Sequence, residues 1–165
     1  MRRARVLLLG LVVVALFEAA RQWNLAPSVV PSHFDAAGRP NAWSSRNAFF
    51  TLQVAVTLGI AALFIVIPRL LKVTPASLIN LPNKRYWLAP ERREETMDRL
   101  ASYFDIFASA TVLLLMAVFE LASLASRGGG LGMNFFLPAL VSYLVFSAGW
   151  TVALIRPFAN VPDEK

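Results

Sequence analysis

Four apolar blocks alternate with polar stretches along the chain: Ala4–Trp23, Ala48–Ile67, Leu100–Ala125 and Asn134–Ile155. Crossing about 30 Å of hydrocarbon takes about 20 helical residues, and each block is near that length. None shows the strict alternation of barrel strands, the other architecture that satisfies its own backbone within lipid. The pattern predicts an all-α integral membrane four-helix bundle, one domain over 1–165. Helices are expected at about 4–23, 48–67, 91–125 and 134–156, with an outer loop 24–47 and an inner loop 68–90.

Composition supports the pattern: hydrophobic residues make up 57% and the mean hydropathy is +0.57, both high for a soluble domain. The basic residues then give an orientation. With four crossings, Arg2, Arg3, Arg5, Arg69, Lys72, Lys84, Arg85, Arg92, Arg93, Arg99, Arg156 and Lys165 share one side, and Arg21, Arg39, Arg46 and Arg127 the other. Twelve against four places both termini in the cytoplasm. The net charge of +6 is therefore a topology signal, and no nucleic-acid partner is expected. The segment Met1-Arg2-Arg3-Ala4-Arg5 followed by Val6–Phe17 has the layout of a signal peptide. Phe17 and Glu18 stand where cleavage wants small residues, so an uncleaved first helix is expected.

Chemistry concentrates in the polar connections. The outer loop holds the only histidine, His33, among Pro27, Pro31, Gly38 and Pro40, which oppose a continuous helix. Asp35-Ala36-Ala37-Gly38 reads as a turn, because an Asp carboxylate accepts nearby backbone N–H groups and Gly tolerates positive φ. With no cysteine in the chain, packing and hydrogen bonds alone must order this loop. The inner loop is broken by Pro75, Pro82 and Pro90, and Leu78, Ile79, Leu81, Tyr86, Trp87 and Leu88 suit a headgroup region. Pro90 with Glu91, Glu94 and Glu95 suits a helix start, and Glu95 and Arg99 form an i,i+4 pair. Gly128-Gly129-Gly130 reads as a flexible outer turn.

Acids near hydrocarbon narrow the search further. Glu18 and Glu120 fall near the outward ends of the first and third helices, below His33 and Asp35. Charge there is expensive and turns toward the bundle interior. One imidazole and three carboxylates converging on Glu18, His33, Asp35 and Glu120 would suit a divalent metal such as Zn²⁺, Mn²⁺ or Fe²⁺. A plainer arrangement pairs Glu18 with Arg21 and Glu120 with Arg127, while His33 and Asp35 cap a turn. Asp105, one turn inside the third helix, is expected to pair with Arg99 or Arg69. Asn134, Ser142, Tyr143, Ser147, Gly149 and Thr151 allow the fourth helix to pack closely. Trp23, Trp43, Trp87 and Trp150 read as interfacial belts.

The outer segment Pro31-Ser32-His33-Phe34-Asp35-Ala36-Ala37-Gly38-Arg39-Pro40-Asn41-Ala42-Trp43-Ser44-Ser45 resembles the hallmark loop of a bacterial membrane domain of uncharacterised function. That domain forms the N-terminal part of the Sdp-type immunity and signalling proteins. The resemblance rests on Gly-x-Pro-Asn followed by an aromatic and two small residues. Ile79-Asn80-Leu81-Pro82-Asn83-Lys84-Arg85-Tyr86-Trp87-Leu88-Ala89-Pro90-Glu91-Arg92-Arg93 is similar to the cytoplasmic segment of single-domain relatives. The immunity protein carries several further helices beyond the four read here. What the resemblance implies is a multi-pass protein of the bacterial inner membrane that recognises an extracytoplasmic ligand.

The expected function is accordingly a non-enzymatic binding or signalling module. His33, Asp35, Gly38, Pro40, Asn41 and Trp43 would meet an extracytoplasmic peptide or toxin. Asn83, Lys84, Arg85, Tyr86, Trp87 and Arg92 would meet a cytoplasmic protein or lipid headgroups. The alternative is an outward-facing metal site serving transport or a metal-assisted membrane hydrolase. No HExxH, GxSxG or Cys–His arrangement supports an enzyme. Four short helices leave room for a homodimer in the bilayer.

Overall fold

A computed structural model describes residues 2–128 and 130–161. Met1, Gly129 and Lys165 lie outside the described residues, so the glycine turn and the terminal cation are followed only in part. The described chain is mostly helical, 77%. Its long helices are α1 (Arg2–Leu25), α2 (Arg46–Val73), α4 (Pro90–Ala125) and α5 (Met133–Ala159). A single helical turn, α3 (Lys84–Trp87), lies between α2 and α4. Among the described residues, α2, α4 and α5 are each long and apolar enough to cross a membrane, which points to a multi-pass protein in a lipid bilayer.

The connection between α1 and α2 departs from the all-helical expectation. It folds into an antiparallel hairpin, β1 (Val29–Phe34) with β2 (Pro40–Ser45). Val29 pairs with Ser45, Val30 with Ser44 and Pro31 with Trp43; an irregularity follows before His33 meets Ala42. The strand signal was in the sequence, since Val29-Val30-Pro31 and Ala42-Trp43-Ser44 flank the turn, but the prolines masked it.

The second helix also runs past its expected end. Pro68 sits within α2 and is buried, and its missing N–H costs one ladder bond without stopping the chain. The helix closes only at Val73, where the Thr74 N–H and hydroxyl both donate to the Leu70 carbonyl, at 3.0 and 2.8 Å. Arg93 then donates to the carbonyls of Leu71 (3.2 Å), Lys72 (3.3 Å) and Thr74, satisfying the orphan acceptors of that end.

α4 is the central element. It packs on α1 and α2, which also pack on each other, while α5 lies chiefly along α4. Leu8, Val12 and Ala15 of α1 meet Ala108 and Val112 of α4 and Ala61 of α2 in the middle of the structure. The outer core gathers Ala26, Val30, Phe49, Phe50, Ala122 and Leu131, and the inner core Ile79, Leu88, Met97, Leu100 and Phe158. Between α4 and α5, the Phe107 and Trp150 rings pack at a tilt with centroids 4.5 Å apart, and Thr111 and Tyr143 share a hydrogen bond of 2.8 Å. Trp150 thus belongs to a helix seam, its indole N–H donating to the Tyr103 carbonyl at 3.0 Å, rather than to an interfacial belt. The hydroxyls of Ser147 and Thr151 donate to carbonyls one turn back in α5.

Two polar ties join α1 to α4, which run in the same direction. Asp105, wholly buried, accepts from Arg5 Nε at 2.8 Å; its expected partners were Arg99 and Arg69. Near the other end Glu120 accepts from Arg21 Nη2 at 3.0 Å and Gln22 Nε2 at 2.6 Å, in place of Arg127. Helical rise puts the ties about 23 Å apart. Breaking the buried pair from one side strands a charge, so Arg5→Met is expected to lower stability by about 3 kcal/mol. Adding Asp105→Leu should recover most of that loss. Thermal unfolding in detergent, followed by circular dichroism, measures both variants.

Candidate functional site

The hairpin is built around Asp35. Its Oδ1 accepts the N–H groups of Ala37 and Arg39, each at 2.9 Å, and its Oδ2 accepts Arg39 Nε at 2.9 Å. The backbone closes beneath it, Asp35 N–H donating to the Arg39 carbonyl and Gly38 N–H to the Asp35 carbonyl. These donors hold the carboxyl below the ordinary carboxylate range, the Arg39 N–H foremost, with the Arg39 guanidinium and Ala37 N–H adding to it against a desolvation cost. His33 Nδ1–H donates to Asn41 Oδ1 at 2.5 Å across the strands. His33 and Asp35 therefore shape the hairpin, and each has its own partner.

Gly38 ties the tip to the helices. It has φ +75°, and its carbonyl accepts the Leu131 N–H at 2.8 Å. A Cβ at Gly38 would lie 2.7 Å from Met133 Cγ, and one at Gly130 would lie 2.8 Å from the Gly38 oxygen. The base of the hairpin is held by Arg46, whose N–H donates to the Ser28 carbonyl at 2.9 Å. Ser45 Oγ caps α2 by accepting the Ala48 N–H at 3.2 Å. Val30, wholly buried, pins β1 into the outer core. Trp43 on β2 remains 58% exposed, an unusual position for a large aromatic unless it meets lipid or a partner.

A cleft of about 370 Å³ lies along β1, against the C-terminal part of α4 and the N-terminal part of α5. Phe49, Phe119, Met133 and Phe136 make an apolar floor, and Ser32, His33 and Asp35 stand at its edge. An apolar concavity with few polar groups at the rim suits the hydrocarbon or aromatic part of an amphiphile.

The metal arrangement does not form. Among the described residues no three His, Asp or Glu side chains are placed to hold a metal ion. The cause is competition for the carboxylates: Glu18 Oε2 accepts from Arg21 Nε at 2.6 Å, and the same guanidinium reaches Glu120. Arg21 thus cross-links the two acids that a cation would have joined. Gln22 extends this network to α2, its Oε1 accepting from Gln53 Nε2 at 3.4 Å, with both glutamines nearly fully buried. Sequence reasoning passed over Gln22 and Gln53, although amides inside an apolar helix are themselves a signal.

The motif between α2 and α4 is also bonded to the chain's own backbone. Asn83, in a left-handed conformation at φ +47°, donates to the carbonyls of Phe158 (3.0 Å) and Ala159 (2.8 Å) at the end of α5. The Trp87 indole N–H donates to the Phe158 carbonyl at 3.2 Å, and the Trp87 carbonyl accepts from Thr96. Arg92 Nε donates to the Tyr86 carbonyl, its guanidinium 3.8 Å over the Tyr86 ring. Lys84 Nζ donates to the Ser77 carbonyl at 3.2 Å. Five of the six residues assigned to a cytoplasmic partner or to headgroups thus cap helix ends or brace their own loop; Arg85 is exposed.

Gly38→Ala is expected to cost about 1–3 kcal/mol through backbone strain and its clash with Met133; accelerated amide hydrogen exchange at Leu131 would report the detached tip. Because the Asp35 pKa is lowered, its contribution is present in full above the ordinary carboxylate range, about pH 4. It is lost as pH falls through the lowered value. Protection of the Ala37 and Arg39 amides, taken relative to intrinsic exchange at each pH, should fall only on acidification below that range. Asp35→Asn should abolish this dependence.

Among known proteins, the family model of a domain of unknown function, DUF1648, matches residues 9–58. The matched stretch runs from α1 through the whole hairpin into the middle of α2. Neither a curated protein nor a solved structure matches the chain.

Proposed function

We propose that this chain is a four-span protein of the bacterial inner membrane, with both termini in the cytoplasm, that binds an extracytoplasmic amphiphilic ligand and does no chemistry on it. The carrying observation is the cleft along β1, apolar below and polar at its rim. It lies beside a hairpin that hydrogen bonds hold in one shape, so binding needs little ordering of the loop. The twelve-to-four division of basic residues supports the orientation, which puts the hairpin outside. The resemblance to Sdp-type proteins supports a membrane-active peptide as ligand class. An apolar segment would enter between Phe119 and Phe136, and the peptide's polar groups would meet Ser32 and the His33 ring edge.

The absence of native cysteine makes the test direct. Arg39→Cys should react with a membrane-impermeant maleimide in intact cells, and Arg85→Cys only after permeabilisation; the reverse would overturn the orientation. For binding, Ser32→Cys carrying an environment-sensitive fluorophore is titrated with amphiphilic peptides in reconstituted vesicles. A saturable signal that Val118→Trp abolishes by narrowing the cleft is expected. A signal that is non-saturable and identical in both proteins would reflect partition into lipid, and would refute the cleft as the site.

A further inference from the structure

A second groove, about 490 Å³, runs between α1 and α2 below the hairpin. It exists because small side chains face each other there: Ala19 and Ala20 on α1, Thr51 and Ala55 on α2. Trp23 and Asn47 close its outer end, the indole N–H donating to Asn47 Oδ1 at 3.1 Å and so bridging the two helices. Thr51 apart, the groove is apolar along its length and becomes polar at this end. That polarity gradient matches a lipid lying beside the protein.

Arg46 supplies the charge. Its guanidinium sits over the Trp23 ring, 4.5 Å from the centroid, and donates to the Ala26 carbonyl at 3.2 Å. The acids near the outer end are otherwise engaged: Glu18 and Glu120 by Arg21, and Asp35 by Arg39. Among the described residues Arg46 forms no ion pair with a carboxylate. A half-buried cation without a counter-charge thus stands at the end of an apolar groove, at the level where α2 leaves its apolar stretch.

We propose that this groove holds one acyl chain of an anionic phospholipid, with the lipid phosphate on Arg46. Cation and anion are complementary, and the remaining guanidinium N–H groups fit phosphate oxygens. A helix about 10 Å across is too wide for a furrow between two helices already in contact, whereas a single hydrocarbon chain is not. The site depends on α1 and α2 lying in a bilayer and on nothing in the β1 cleft.

The full chain is reconstituted into phosphatidylcholine vesicles containing trace spin-labelled phosphatidylglycerol or, separately, spin-labelled phosphatidylcholine. Electron spin resonance then measures the immobilised fraction of each. An anionic preference of about fivefold is expected from one basic residue at the membrane surface. Arg46→Gln should bring it to near parity, while Arg127→Gln, an exposed outer arginine, should leave it intact. Ala20→Phe should reduce immobilisation of both lipids by filling the groove. Retention of the preference in Arg46→Gln, or its equal loss in Arg127→Gln, would overturn the site. Immobilisation of neither lipid would overturn the bilayer placement itself, and the site with it.

Discussion

Everything in this fold hangs from the parallel contact between α1 and α4, and that contact is tied by charge at both ends. A carboxylate that is wholly buried, like Asp105, is tolerable only with a cation beside it, and Arg5 comes from the far end of the sequence to provide one. Glu120, a third exposed, is held less stringently at the other end by Arg21 and Gln22. Between these ties the interface is apolar, Leu8, Val12 and Ala15 against Ala108 and Val112. Hydrocarbon gives little push for apolar helices to associate, so polar ties and close packing specify which faces meet. With α1 and α4 in register, α2 fills the groove they leave, and α5 is free to lie along α4.

The hairpin inherits its position from this frame. Val30 enters the outer core that α2 and α4 create, and the α4–α5 connection closes over the turn at Gly38. Internal hydrogen bonds then consume the groups that looked most available for ligands. Asp35 is saturated by its own turn, and His33 is bonded to Asn41. What remains open is shape: the cleft along β1 and the exposed face of Trp43. Concavities with an apolar lining and a few polar groups are the common form of small-ligand sites.

At the opposite end from the hairpin the same economy of polar groups governs the connection between α2 and α4. Helices that end near a bilayer leave carbonyls without donors. Arg93 serves the end of α2, and Asn83 with Trp87 serves the end of α5. A segment rich in Asn, Lys, Arg and aromatic residues therefore acts as a clasp. Its residues look like a recognition motif in sequence because the chemistry that grips a partner's backbone is the chemistry that grips the chain's own.

By itself the sequence determined the class of the protein: apolar blocks of bilayer length, the charge asymmetry, the turn at Asp35–Gly38 and the helix start at Pro90. These are local or compositional properties, and a local pattern is enough to produce them. The pairing of charges was decided only by tertiary structure. Glu120 chose Arg21 over Arg127, and Asp105 chose Arg5 over nearer arginines, because the facing of helices sets distance and sequence separation does not. The same holds for the metal centre that did not assemble, since one arginine placed between two glutamates removes the vacancy a cation needs. It holds equally for the hairpin, where strand pairing requires a partner and a core to bury Val30, and neither is written in β1 alone.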